Sequence, residues 1–400
     1  MARFGSSVSV LVIVGIFFLG KAQADILADA NEVLLDAIKV ESFTPPVAVR
    51  ALVIFHQASA SAISDMSQGA VSDDEKRVRA LGALLEVGET EFVDSRSTIR
   101  EWAGQAVPRS VSPGERLRAL KLGRESARAL LANRRNDLAI AKLPDFVPAE
   151  ANAPGFPVWA PPAGTTALHP RWGLVTPIVL NQDDMPLLPS PATLDSDAFQ
   201  SDLFETFLYG GYHSHVRSES ERTTAIFWAQ NKGSVTPPGQ WNAIAQSFSA
   251  RTKLSLKTEA TLFSILNIAL FDASIACWMN KYHYRHPRPD AAITELIDMD
   301  WRPVLTTPPH PEYPSGHSTF SAAAATVLEA FNRGRLKQIE VVSEDVPDEV
   351  RRFSSFFEAA AEAGRSRIFG GIHFEESNAA GQMLGREVAL RVLSSHFVEE

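Results

Sequence analysis

Three short segments of this chain carry residue types that suit a tetrahedral oxyanion. They are Lys281-Tyr-His-Tyr-Arg-His-Pro-Arg-Pro289, Pro314-Ser-Gly-His317, and Ser366-Arg367 with His373 behind it. Arg288 and Arg367 each present a fork of donors that matches paired oxygens, and Lys281 adds a point charge. Ser315 and Gly316, at the start of a predicted helix, offer a hydroxyl and free backbone N–H groups. The two histidines, His317 and His373, have separable uses: one lends a neutral ring nitrogen to the central atom, and the other moves protons at its edge. The chain as a whole is acidic, with a net charge of −9. Bulk electrostatics therefore argue against nucleic acid as a partner, and the basic cluster at 281–288 reads as a local anion site.

Such a cluster needs elements to hold it. A long helix predicted from Leu256 to about Tyr282, with Leu262, Phe263, Leu266, Leu270 and Ile275 along it, delivers Lys281 at its end. Pro287 and Pro289 stop that helix and place Arg288 on a stiff loop. Ser315 reads as the N-cap of an Ala-rich helix running to about Asn332, with Gly316 allowing close backbone approach. A further helix, from about Asp348 to Gly364, precedes Ser366-Arg367, and His373 opens a last helix whose Ala380, Leu384, Val388 and Val392 face the core. Within the long helix, Asp272 needs a partner, either a site residue that it orients or a structural hydrogen-bond donor. Cys277, the single cysteine, reads as a small buried hydrophobe and excludes an intramolecular disulfide framework or a cysteine-rich zinc site.

The chain divides by composition. Residues 1–24 read as a secretory leader, with Arg3, an apolar run Val8–Leu19 and the small-residue site Ala22-Gln23-Ala24. Residues 25–143 form an N-terminal helical region: Leu27, Leu34, Leu35 and Ile38 share one helix face, and Val47–Ile63 follows the Pro45-Pro46 break as a central helix. His56 inside it reads as a satisfied core histidine. Helices are also predicted over 73–88 and 114–134, their arginines on a solvated face. Residues 144–196 are a strap: eleven of the 25 prolines fall between 144 and 191, and Trp159 and Trp172 argue that it lies on the helical body rather than hanging free. Residues 197–400 carry the site, opening with helices over about 197–209, 219–230 and 239–250, and pack as one unit with 25–143. No stretch after residue 24 reads as long and apolar enough to span a membrane.

The order Lys281-x6-Arg288-Pro289, Pro314-Ser-Gly-His317, Ser366-Arg367-x5-His373 resembles the signature of the vanadium-dependent haloperoxidases and the type-2 phosphatidic acid phosphatase superfamily, which share it. The resemblance covers residues 281–373, and the preceding helix and the strap are similar to bacterial members of the haloperoxidase branch. It implies an all-α, multi-helix bundle fold with the anion at the end of a bundle. By resemblance, Lys281, Arg288, Ser315, Gly316 and Arg367 hold the oxygens of vanadate or phosphate, His373 binds vanadium or attacks phosphorus, and His317 is the acid–base group, with Lys281 counted among the catalytic residues.

The haloperoxidase branch implies vanadate as cofactor, and hydrogen peroxide, a halide and a small organic acceptor as partners; vanadate as a Lewis acid polarises peroxide, and the halide, bromide or iodide before chloride, leaves as hypohalous acid. Trp278, three residues before Lys281, and His310, five before Ser315, resemble the halide pocket of that branch; the blander readings are a core tryptophan and a loop histidine. The phosphatase branch implies an exported acid phosphatase acting through a phosphohistidine on His373. A third class is an exported anion-binding protein without turnover. The leader places the product in the periplasm or the medium. One departure stands out: both branches carry an aspartate four residues after the essential histidine, where this chain has Ser377, preceded by Glu375 and Glu376. Either Glu376 replaces that carboxylate for His373, or the two glutamates are favourable charge at a helix N-terminus.

Overall fold

The computed structural model describes residues 26–67, 69–141 and 158–397, so the leader segment 1–24 and the first part of the strap lie outside the described residues. In chain order its helices are α1 (Ile26–Val40), α2 (Pro45–Ser64), α3 (Asp73–Glu91), α4 (Arg96–Gln105), α5 (Pro113–Asn133), α6 (Asp137–Ala141), α7 (Asp197–Gly210), α8 (Glu219–Phe227), α9 (Thr236–Thr252), α10 (Leu256–Tyr284), α11 (Pro289–Leu296), α12 (Gly316–Asn332), α13 (Phe356–Phe369) and α14 (Glu375–Phe397). One antiparallel pair of short strands, β1 (Ile339–Val342) and β2 (Val350–Phe353), sits between α12 and α13. The expected all-α class holds.

Apolar residues surround α10 on every side, and a helix of that kind must be enclosed by others. Every residue from Leu262 to Trp278 is buried. The helix packs against α2 from the N-terminal half and against α12 and α14 from the C-terminal half, so one core runs through both. His56 of α2 lies flat on Phe263 of α10 with ring centroids 4.7 Å apart and hydrogen-bonds Asn31 Oδ1 of α1 at 3.0 Å. Burial holds its pKa down to about 3, as befits a neutral core histidine. Two stretches, Pro45–Ser64 and Leu256–Leu296, are long and apolar enough to cross a membrane, which corrects the expectation that none would be. Their most apolar windows are 72% and 94% buried inside the protein, so composition here reflects the core.

The polar interruptions on α10 hold the strap. Asp272 accepts hydrogen bonds from the backbone N–H groups of Ile178, Val179 and Leu180 at 2.7, 2.9 and 3.0 Å, so it takes the structural of its two roles. Trp172 Nε1 donates to Ser274 Oγ at 2.8 Å. Asn280 accepts from Leu188 N at 2.9 Å and donates to Pro186 O at 2.8 Å. Asp272 and Asn280 thus satisfy backbone groups that an irregular segment could not pair for itself, and Ser274 holds the strap's buried indole.

Local structure departs from the sequence reading in several places. The helix expected over 348–364 starts only at Phe356, because Val350–Phe353 pairs with β1; it then runs to Phe369, which puts Arg367 in its last turn. A helix, α11, follows Arg288 directly, since Pro289 at its first turn has no N–H to lose. Helix α4 was not foreseen. Arg79, assigned to a solvated face, is fully buried and donates through Nη1 to the carbonyls of Ala62 and Asp65 at the end of α2. Arg128 does stay at the surface, paired with Glu86.

Asp272→Ala leaves three strap N–H groups without their shared acceptor. It is expected to lower unfolding free energy by about 3 kcal/mol, the scale of a buried charge-assisted hydrogen bond lost with its partners stranded. Chemical denaturation measures this, and limited proteolysis should cut first between 175 and 190; a variant as stable and as resistant as the parent would refute the strap's dependence on Asp272.

Candidate functional site

The site is assembled from three chain reversals. Helix α10 ends at Arg285, which takes a left-handed conformation (φ 49°), and Arg288 then serves as the N-cap residue of α11. Its guanidinium turns inward: Nε donates to His310 O at 3.0 Å, Nη1 to Ile372 O at 2.7 Å, and Nη1 and Nη2 reach His373 Nε2 at 3.1 Å and His310 Nδ1 at 3.0 Å. Ser315 caps α12, accepting from Ser318 N at 3.3 Å, while its own N–H donates to Ser377 O of α14 at 3.0 Å. That approach is possible because α14 carries Gly381 and Gly385 there; a Cβ on Gly385 would fall 2.1 Å from Thr319 O. Gly371, at φ +75°, makes the turn that leads from α13 into His373.

The predicted residues do converge. His373, His317, Gly316, Arg367, Trp278 and His310 all line one cavity of about 830 Å³. A Cβ built on Gly316 would stand 3.9 Å from Lys281 Cε and 3.8 Å from the Trp278 indole, so the glycine, the lysine and the tryptophan share one wall. The Trp278 and His310 rings lie 5.2 Å apart, which puts the proposed halide-pocket pair in contact beside the cage. Lys281 differs from expectation in its partners: Nζ donates to the carbonyls of Pro311 at 2.9 Å, Glu312 at 3.0 Å and Pro314. Arg367 Nη1 donates to Trp228 O at 2.9 Å, and its Nε is buried with no hydrogen-bond partner.

Burial dominates the electrostatics. It lowers Lys281 to about 7, Arg288 to about 10 and Arg367 to about 9, and for Arg367 the neighbouring Arg288 adds to the effect. Among the described residues none of these three forms an ion pair within 4 Å, and no Asp or Glu lines the cavity. His373, His317 and His310 are each held well below the ordinary histidine range, first by burial and then by the nearby guanidinium groups. Hydrogen bonding fixes the tautomers of His373 and His317. His373 Nδ1 faces Glu312 Oε1 at 2.8 Å and must carry the hydrogen, which leaves Nε2 with a lone pair on the cavity side. His317 Nε2 donates to Ala229 O at 3.3 Å, leaving Nδ1 as the acceptor.

Glu312 is the buried carboxylate on His373 that the sequence reading missed. Neither candidate for the missing aspartate reaches His373: Glu376 accepts from Ala192 N at 3.0 and 2.9 Å, and Glu375 pairs with Arg365 at 2.7 Å. The carboxylate on His373 comes instead from the loop before Ser315. The only available signal was a lone acid between Pro311 and Tyr313, in a stretch otherwise without charge from Thr306 to Phe320. Also unforeseen were the Trp228 and Ala229 carbonyls, exposed where α8 stops at Phe227 instead of continuing to 230, and the loop Ser42–Pro45, which lines the outer cavity.

An all-α bundle closes over a buried cationic pocket lined by three neutral imidazoles, a donor set that suits an oxyanion. No group of three or more His, Cys, Asp or Glu gathers among the described residues in the way a metal cation would require. A family model, the VCPO second helical-bundle domain, matches residues 261–300 and 294–398. Vanadium chloroperoxidase from Curvularia inaequalis is 25% identical over 232 residues, 42% of this chain and 38% of that protein, so the similarity spans well under half of the relative's length. Among solved structures, the first bacterial vanadium-dependent iodoperoxidase superposes with a TM-score of 0.78 at 25% identity, over 92% of this chain and 95% of that one. A holo-type bacterial vanadium-dependent chloroperoxidase shares the fold, with a TM-score of 0.68 at 14% identity over 88% and 92% of the two chains. The matched segments and the superposed fold together support a vanadium haloperoxidase.

Arg367→Met removes an unpaired buried cation while keeping its bulk. The variant is expected to melt higher than the parent in anion-free buffer. It should also bind phosphate about tenfold or more weakly, the worth of one charge-assisted hydrogen bond. Thermal melts with and without phosphate read both effects, and an undiminished phosphate-induced shift would remove Arg367 from the cage.

Proposed function

We propose that this protein binds vanadate at the Arg288–Arg367–His373 site and works as a haloperoxidase that oxidises iodide or bromide with hydrogen peroxide. The observation that carries the reading is the charge imbalance. Three cationic side chains are buried around an imidazole nitrogen, His373 Nε2, that meets only the Arg288 guanidinium, and the carboxylate beside them, Glu312, is taken up by histidines. An orphaned Arg367 Nε points to the same conclusion, because a buried donor without an acceptor costs about 1–3 kcal/mol until a ligand supplies one. The donor set therefore fits a tetrahedral oxyanion of multiple negative charge.

His373 would hold vanadate through Nε2, with Arg288, Arg367 and the first N–H groups of α12 at its oxygens; α12 opens at Gly316, where backbone donors have no partner within the helix. Bound vanadate supplies a Lewis-acidic centre that activates hydrogen peroxide toward a halide. The chain's own part is to bind, to neutralise charge and to handle protons. His317 is neutral and presents Nδ1 as acceptor, so it can take a proton from an incoming hydroperoxide and return it to the departing oxygen. Trp278 and His310 form the wall that a halide would meet, and the absence of acidic side chains from the lining favours an anion there. The leader-like sequence of residues 1–24 supports export, which mass spectrometry of the mature N-terminus tests.

The decisive experiment is reconstitution with vanadate followed by triiodide formation and by bromination of a phenolic dye with hydrogen peroxide. Both activities are expected, and both should depend on added vanadate. Hydrolysis of a phosphomonoester without halide oxidation would assign the cage to phosphoryl transfer, and anion binding without either activity would make it a binding protein. His373→Ala is expected to reduce vanadate-dependent turnover to background, and His317→Ala to lower kcat by about 100-fold or more. Full rates in either variant would refute the role given to that residue.

A further inference from the structure

Glu312 is fully buried and touches more of the site than any other carboxylate. Its Oε1 accepts from His373 Nδ1 at 2.8 Å and from Phe374 N at 3.1 Å, and its Oε2 accepts from His286 Nδ1 at 3.2 Å. Its backbone is pinned as well: the N–H donates to His286 O at 3.1 Å, and the carbonyl accepts from Lys281 Nζ at 3.0 Å. His286 is wedged among Phe199, Phe374 and Tyr313, so the second arm of the carboxylate is packed as firmly as the first. The residue at the position where the family pattern has aspartate, Ser377, lies close by, its Oγ 3.3 Å from His373 Nδ1.

We propose that Glu312 is the positioning residue for His373, supplying from the 311–314 loop the carboxylate that the aspartate four residues after that histidine would otherwise supply, and that Lys281 serves this unit by clamping the loop from its backbone side. The inference deepens the haloperoxidase reading and rests on it for what Nε2 binds. Its physical content is separate. An ionised carboxylate on Nδ1 fixes the Nδ1–H tautomer, turns Nε2 toward the cavity and raises that nitrogen's basicity. Burial alone would raise the Glu312 carboxyl, but the hydrogen bonds from His286 and His373 outweigh it and hold the group well below the usual carboxylate range. One carboxylate therefore stays charged between two imidazoles, and Lys281, with its three donors spent on the carbonyls of 311, 312 and 314, keeps the loop from retreating.

The test compares the full chain with Glu312→Gln and with the double variant Glu312→Gln, Ser377→Asp. Nitrogen-15 shifts of the His373 ring, read without vanadate, report the tautomer, and calorimetric titration with orthovanadate and with phosphate reports affinity. Glu312→Gln should give a mixed His373 tautomer and bind both anions about 10- to 100-fold more weakly. The double variant should recover the single tautomer and most of the affinity, because the new carboxylate starts from a position already beside Nδ1. A structural role alone would not be rescued by a charge at 377. An unchanged tautomer and affinity in Glu312→Gln, or a double variant that folds without regaining either, overturns the proposal. If Glu312→Gln does not fold, the double variant decides: folded with parental affinity it supports the proposal, and unfolded or without affinity it overturns it. A parent protein that binds neither anion would defeat the functional reading, while the tautomer comparison would still judge Glu312.

Discussion

Three cations buried around a neutral imidazole set the terms for this molecule. Isolated burial of a guanidinium or an ammonium costs several kcal/mol after relaxation, and here the cost is visible in the lowered pKa of Lys281, Arg288 and Arg367. Nothing inside the protein repays it in full. Arg288 spends its donors on two carbonyls and two imidazole nitrogens, and Lys281 spends its own on three carbonyls. Dipoles of this kind solvate a cation without cancelling its charge. The site is therefore held in a state that an oxyanion completes, and the rest of the fold has to supply the stability that the site withholds.

That stability comes from α10 and from what it gathers. The helix fills the centre of a continuous apolar core, yet the polar side chains along it each secure a particular neighbour. Asp272, Ser274 and Asn280 hold the strap, and Lys281 holds the loop before α12. A slip of one residue along α10 would misplace all four at once. The strap in turn reaches the cavity, where Leu168 O accepts from Trp278 Nε1 at 3.2 Å and Leu168 N donates to Pro309 O at 2.8 Å. Strap, long helix and site loop are thereby tied at both ends, so the geometry of the cage does not depend on any single contact.

The sequence made legible what lies in contiguous blocks. Lysine near a helix end, arginine between two prolines and Ser-Gly at an N-cap carry their structural instructions beside them, so their backbone positions were legible, while the carbonyl partners of Lys281 and the helix that follows Arg288 were not. Asp272 was legible as a partner-seeking acid because its neighbours are apolar, though its partners, some 90 positions away, were not. Glu312 was invisible for a related reason. A carboxylate serving His373 from 61 residues upstream has no spacing to betray it, and the glutamates next to the histidine drew the inference instead. The strand pair at 339–353 was missed because four-residue strands carry little periodicity, and Arg79 because a helical charge run does not say which of its members turns inward to cap a neighbouring helix. The apolar length of Pro45–Ser64 and Leu256–Leu296 is ambiguous for the same reason, since a core helix and a spanning helix differ only in what encloses them.

A tetrahedral cage by itself is a general device, since phosphate and vanadate share shape and charge and the same arginines would serve either. What gives the proposed chemistry its direction is the space in front of the cage. The cavity is many times the volume of the anion, its lining histidines are neutral, and its charged lining residues, Lys232 and Arg367, are both cationic. Such a surface attracts small anions and admits neutral peroxide without competition from a carboxylate. His310 belongs to this surface and to the cage together, because Arg288 binds its ring nitrogen and its backbone carbonyl while its face meets Trp278. A change at 310 would therefore alter the wall that a halide meets and, through Arg288, the grip on the oxyanion behind it, which couples the choice of halide to the binding of the cofactor in this proposed function.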